Sequence, residues 1–146
     1  MRRIFLDSSV IIAACGSRSG ASHAVIVMAE IGLFKVLISE QVIEECDRNI
    51  TKKLSKALPI LKQILSVINP EILPNPAIAD VAKWETIIEP KDAPILAAAL
   101  LAQSDRLLSL NTKDFTPNVA KQKSGLKLQT PSGFIQEIRS ILTQEL

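Results

Sequence analysis

The sequence predicts an α/β protein with a central, mainly parallel sheet, and three observations carry that expectation. Short apolar runs alternate with longer stretches of helical periodicity, which is the pattern of βαβ units. The chain has 146 residues, the length of one domain with one buried core. It is 47% hydrophobic and 22% charged, a globular balance that excludes disorder.

Residues 3–6 form the first apolar run, closed by Asp7-Ser8-Ser9, residue types that cap helices. Residues 10–14 continue as a helical turn, and residues 16–20 read as a Gly/Ser loop. Residues 22–31 have helical periodicity, closed by Gly32 as a C′ glycine. Residues 34–38 read as a second buried strand. Ser39 is the expected N-cap of a long helix whose apolar face carries Val42, Ile43, Cys46 and Ile50. A further helix is expected over residues 56–65, with Pro59 in its first turn, followed by a strand over 65–68. Four prolines from Pro70 to Pro90 mark an irregular middle. Asp92 opens a helix over 93–103, with Pro94 in the tolerated first turn. Residues 107–110 and 126–129 read as strands on either side of a turn at 111–117. Thr130-Pro131 then forms the N-cap and N1 pair of an amphipathic C-terminal helix.

Composition narrows the chemistry. The net charge is +2, too small for a strongly basic nucleic-acid binder. Aromatic residues are 3%, too few for base-stacking platforms. No stretch reaches the roughly 18 uncharged apolar residues of a membrane span. Arg2 and Arg3 precede an apolar run that Asp7 interrupts at once, unlike a signal peptide. A cytoplasmic protein without a membrane partner is expected. Cys15 and Cys46 lack metal or disulfide spacing and read as reduced, buried thiols. His23 is the only histidine, so Ser8 or Ser9 has no evident base for nucleophilic catalysis. Trp84 reads as packing.

The acids are more informative. In open parallel sheets, ligands bind beyond the carboxyl ends of the strands. Asp7 follows the first strand, Glu44 and Glu45 lie early in the helix after the second, and Asp92 opens the helix feeding the 107–110 strand. Asn111 and Asp114 follow that strand. Carboxylates gathered at one edge repel, and a hard divalent cation with oxygen ligands relieves the repulsion. Such a site suits phosphodiester hydrolysis. Each residue also has an ordinary role available: Asp7 and Asp92 as N-caps, Glu44 and Glu45 on a solvated face, Asp114 in an Asx turn.

Four segments in order decide between these. Phe5-Leu6-Asp7-Ser8-Ser9-Val10-Ile11-Ile12, the block Ile38 to Cys46, Lys91-Asp92-Ala93-Pro94 and Leu107 to Phe115 together resemble the PIN domain family over essentially the whole chain. The resemblance implies a single three-layer α/β/α domain over residues 1–146. It implies a nuclease using Mg²⁺ or Mn²⁺ on RNA, with Asp7, Glu45, Asp92 and Asp114 as catalytic acids and metal ligands. Glu45 is selected over Glu44 because an apolar residue, Cys46, follows it. Asn111 stands where many relatives carry Asp and joins the metal ligands, with Asp114 supplying the remaining charge. Ser8 and Ser9 match positions near the substrate.

Arg48, Lys52, Lys53, Lys56 and Lys62 occur with no acid between Asp47 and Glu71, and Lys121, Lys123 and Lys127 follow the last motif. Lys52 and Lys53 are candidate phosphate contacts, against the ordinary role of a solvated face. Chains of this size resemble the toxins of VapBC-type, type II toxin–antitoxin systems, which implies a small antitoxin partner and a homodimer. The competing expectation, favoured by the neutral Asn111, is a catalytically weak PIN-like RNA-binding or protein-interaction module.

Overall fold

Ile4, Phe5 and Leu6 have no exposed surface, and a run apolar on both faces requires a strand covered on both sides. That strand, β1 (Arg3–Leu6), is the middle strand in the computed structural model of the protein, which describes residues 2–115 and 125–145. It lies between β2 (Lys35–Ser39) and β4 (Arg106–Leu108), with β3 (Glu71–Leu73) and β5 (Lys127–Gln129) outermost. The order is β3-β2-β1-β4-β5, and all four pairings are parallel. Register sets Ile4 opposite Val36 on one side and Arg106 on the other.

Parallel neighbours require crossovers. Helices α1 (Ser8–Gly16) and α2 (Ala21–Glu30) connect β1 to β2. Helices α3 (Glu40–Lys53) and α4 (Leu58–Ile68), separated by a 3₁₀ turn at Ser55–Ala57, connect β2 to β3. Helices α5 (Ile78–Ala82) and α6 (Ala93–Leu101) connect β3 back to β4. Crossovers are right-handed, so connections running in opposite directions along the sheet lie on opposite faces. The contacts agree: α1, α2, α3 and α4 pack together, whereas α5 packs on α6 and α6 on β2. Three layers result. The last helix, α7 (Pro131–Glu145), packs on α2, and Phe134 meets Phe34 edge to face at 5.5 Å.

Local chemistry explains most boundaries. Ser39 caps α3 by accepting from the Val42 N–H at 3.4 Å, and Thr130 Oγ1 accepts from Gly133 N–H at 3.0 Å to open α7. Gly32, at φ +86°, supplies the left-handed residue after α2. Glu137 fastens α7 to the sheet, accepting from Arg106 Nη2 at 3.1 Å, Lys127 Nζ at 3.0 Å and Gln129 Nε2 at 2.8 Å.

One expectation is overturned. Residues 65–68 are not a strand but the last turn of α4, because Leu61, Ile64 and Ile68 make one helical stripe buried in the core. Asn69 then turns left-handed at φ 42° before Pro70, and the strand falls at Glu71–Leu73 instead. Both cysteines are free and buried as expected. Among the described residues no single helix is long and apolar enough to cross a membrane.

Candidate active site

Strand order reverses on the two sides of β1. The connection from β1 runs to β2, and the chain returns to β4 on the other flank. Such a switch point opens a crevice at the carboxyl ends of the two strands. Asp7 and Ser109 are the first residues beyond those ends, joined at the backbone where Asp7 N–H donates to Leu108 O at 3.0 Å.

Asp7 stands at the N-cap position of α1 yet makes no side-chain cap hydrogen bond. Its carboxylate is engaged elsewhere. Oδ2 accepts from Ser9 Oγ and from Ser109 Oγ, each at 2.8 Å. The two hydroxyls are themselves oriented, because Ser9 Oγ accepts from Leu110 N–H at 3.1 Å and Ser109 Oγ from Asn111 N–H at 3.0 Å. With a lone pair of each oxygen occupied by an amide, the protons point at Asp7. Asp7 is only 7% exposed. Burial pushes its carboxyl above the ordinary range, the Ser109 and Ser9 hydrogen bonds oppose that shift, and the neighbouring Glu45 charge adds to it.

Glu45 lies one turn into α3, half-buried, whereas Glu44 is exposed. Ser8 Oγ donates to Glu45 Oε2 at 2.7 Å and Gln41 Nε2 to Oε1 at 2.9 Å. Gln41 is fixed in turn, since its backbone N–H donates to Asn75 Oδ1 at 2.8 Å. Ser8 and Ser9 therefore use their hydroxyls on the two acids. Cys46 is wedged behind the site with Sγ 3.9 Å from Ser8 O, and burial pushes its thiol up, away from the thiolate form.

Asp92 is half-buried at the N-terminus of α6 and, like Asp7, makes no side-chain cap hydrogen bond. A crossover helix runs antiparallel to its strands, which puts this N-terminus at the same sheet edge as Asp7. Asn111 is exposed, tied to Ser109 through its backbone. A 3₁₀ turn follows at Thr112–Phe115, but the Asp114 side chain lies outside the described residues, as do Lys121 and Lys123. Lys52 and Lys53 are exposed in the last turn of α3, where the helix dipole also favours cations.

The structure thus brings Asp7 and Glu45 together with their serine donors. Among the described residues no three His, Cys, Asp or Glu side chains converge into a group that could hold a metal ion. The donor set nevertheless suits a hard cation. A buried carboxylate shifted toward its neutral form beside a second carboxylate is the electrostatic situation that a divalent cation relieves, and every candidate ligand is an oxygen.

Sequence reasoning missed Ser109 and Gln41. Ser109 was legible in part, as a polar residue closing an apolar strand that the structure buries to 1% exposure. Gln41 was legible only through its i, i+4 spacing to Glu45.

The sequence profile of the PIN domain family matches residues 3–113, which carry Asp7, Glu45, Asp92 and Asn111. The chain belongs to the PIN domain family. This PIN domain is thereby placed in a family of nucleases. Its fold is similar to that of VapBC2 from Rickettsia felis, solved bound to a DNA fragment from its promoter. That likeness has a TM-score of 0.67 and 19% identity and covers 88% of this chain and 98% of that one. It is also similar to FitAcB from Neisseria gonorrhoeae, with a TM-score of 0.62, 18% identity and coverage of 88% and 97%. A third similar structure is PAE2754 from Pyrobaculum aerophilum, with a TM-score of 0.63, 16% identity and coverage of 92% and 88%. No curated protein matches the PIN domain in sequence.

Proposed function

We propose that this PIN domain is a divalent-metal-dependent endoribonuclease, acting in the cytoplasm as the toxin of a type II toxin–antitoxin pair. The observation that carries the proposal is Asp7, a buried carboxylate held by two oriented hydroxyls beside Glu45, at the crevice of a nuclease-family fold. Asp7, Glu45, Asp92, Asn111 and Asp114 are the residues that would hold Mg²⁺ or Mn²⁺. When bound there, the cation supplies Lewis-acid polarisation of the scissile phosphodiester.

The chain's own residues do the rest. Ser9 and Ser109 keep Asp7 in one rotamer, so the carboxylate is organised before any ligand arrives. Glu45, held by Ser8 and Gln41 yet half-exposed, is placed to take a proton from water at the crevice mouth. Asp92 adds negative charge from the helix that feeds β4. Lys52 and Lys53 bind the substrate backbone. Likeness to VapBC2 and FitAcB supports a small antitoxin as partner, and the chain is proposed to act as a homodimer.

Calorimetry with Mn²⁺ on the wild type and on Asp7→Asn tests the proposal, alongside cleavage of a mixed-sequence RNA. Wild type should bind Mn²⁺ and cut, and the variant should do neither. Equal Mn²⁺ binding by both removes the metal site. The neutral Asn111 favours a second reading, a catalytically weak RNA-binding or protein-interaction module, which predicts RNA binding without turnover in Mg²⁺ or Mn²⁺.

A further inference from the structure

Between Asp47 and Glu71 the sequence has five cations, Arg48, Lys52, Lys53, Lys56 and Lys62, and no acid, in a chain of net charge +2. The structure makes this stretch the end of α3, the 3₁₀ elbow at Ser55–Ala57 and helix α4. It projects from the same helix that carries Glu45. At about 100° per residue, Lys52 lies roughly 20° from Glu45 around α3 and Arg48 roughly 60° away, on the side opposite Val42 and Cys46. Both cations are exposed, and Asn49, between them and half-buried, folds its side chain back to donate to Glu45 O at 2.7 Å. A polar line therefore runs from the acid centre down α3.

Beyond this line, and turned at Lys53 roughly 80° from Glu45 toward the Val42 side, the elbow holds an open cavity of about 410 Å³, lined by Lys53, Leu54, Ser55, Lys56, Ala57 and Ile60. Lys53 is about 12 Å from Glu45 along the axis. The cavity combines two chemistries. Its lining joins apolar side chains, Leu54, 45% exposed, with Ala57 and Ile60, to two lysines and a serine. A nucleotide offers both complements, a base for the apolar lining and a phosphate for the lysines.

We infer that the α3–α4 elbow is a subsite for a nucleotide of single-stranded RNA flanking the scissile bond. This rests on the nuclease proposal above and extends it to substrate positioning. It predicts that RNA long enough to reach the elbow binds more tightly than a trinucleotide at the acid centre alone.

The test is fluorescence anisotropy of the full chain with a labelled 12-nucleotide single-stranded RNA in EDTA, across a salt series. The proteins are wild type, the double variant Lys53→Glu/Lys56→Glu, Leu54→Ser and the distant control Lys83→Glu. Losing two phosphate contacts should weaken binding at least tenfold and flatten the slope of log affinity against log salt by about 1.4. Leu54→Ser should weaken binding severalfold with the slope unchanged, and Lys83→Glu should alter neither. In Mg²⁺ the double variant should raise KM for the 12-mer. Unchanged affinity and slope in the double variant, or an equal loss in Lys83→Glu, overturns the subsite while leaving the nuclease proposal standing. Wild type that neither binds nor cuts RNA overturns both.

Discussion

Replacing Ser109 by Ala removes one atom that makes two bonds. Its hydroxyl donates to the Asp7 carboxylate at 2.8 Å and accepts from Asn111 N–H at 3.0 Å, at a residue 1% exposed. A buried hydrogen bond to a charged group contributes about 1.5–3 kcal/mol, and the abandoned amide costs about 1 kcal/mol more. A loss of about 3 kcal/mol follows, or roughly 6–12 °C in Tm for a chain of this size. The loss should depend on pH in a defined direction. Because burial raises the Asp7 carboxyl in the fold, ionising it costs wild-type stability as pH rises through that raised value, and the cost is absent below the ordinary carboxylate range. Without the Ser109 donor the carboxyl rises further, so the variant goes on losing stability above the wild-type value, where the wild type no longer does. The gap between the two proteins is therefore smallest in acid and widens toward neutral pH. Circular dichroism melts of both proteins in EDTA, from about pH 3.5 to pH 7.5, read it directly. A gap that is constant across this range would mean that Ser109 only fills space, and the clamp on Asp7 would be refuted.

Two further outcomes are expected. Asp92→Asn should melt within about 0.5 kcal/mol of wild type, since Asp92 stands at the N-cap position of α6, where Asn is accepted about as well as Asp. It should nevertheless cut RNA about a hundredfold to a thousandfold more slowly, and cleavage at the wild-type rate would leave Asp92 without a catalytic role. Glu137 is held down to about 2, chiefly by the Lys127 hydrogen bond and then by Gln129 and Arg106. Its stabilisation is present above the ordinary carboxylate value and is lost as pH falls toward 2. Glu137→Gln should therefore cost about 1 kcal/mol at neutral pH, discounted for partial exposure, and should flatten the acid limb of stability against pH. An acid limb identical to wild type would show that the cluster around Glu137 is not what docks α7.

The strands and the candidate acids were legible for different reasons. β1 and β2 announce themselves as continuous apolar runs, because a parallel strand buried on both faces has no polar positions to confuse the pattern. The last turn of α4 looked like a strand because Leu65 to Ile68 is too short for periodicity to distinguish the two. The stripe that decides it, Leu61, Ile64 and Ile68, begins one turn earlier. Asp7 and Asp92 were each ambiguous with a helix cap, and position alone could not decide between the roles, since both do occupy N-cap positions. What separates the roles is where the side chain bonds, and for Asp7 that depends on Ser109, about a hundred residues distant. Long-range hydroxyl placement leaves little periodic trace, which is why the Ser109–Asp7 bond and the Gln41–Asn75 link emerged only from the fold.

The same separation governs when the protein can become active during its own synthesis. Asp7 is among the first residues made, but half of its clamp arrives with Ser109 and its backbone anchor with Leu108. At about 5–20 residues per second, a ribosome needs roughly 5–20 s to translate from one to the other. Until β4 has left the ribosome and paired beside β1, the crevice has only one wall. A nascent chain bearing every residue through Asp92 still has no organised acid centre, so the proposed activity is latent for most of translation by topology alone.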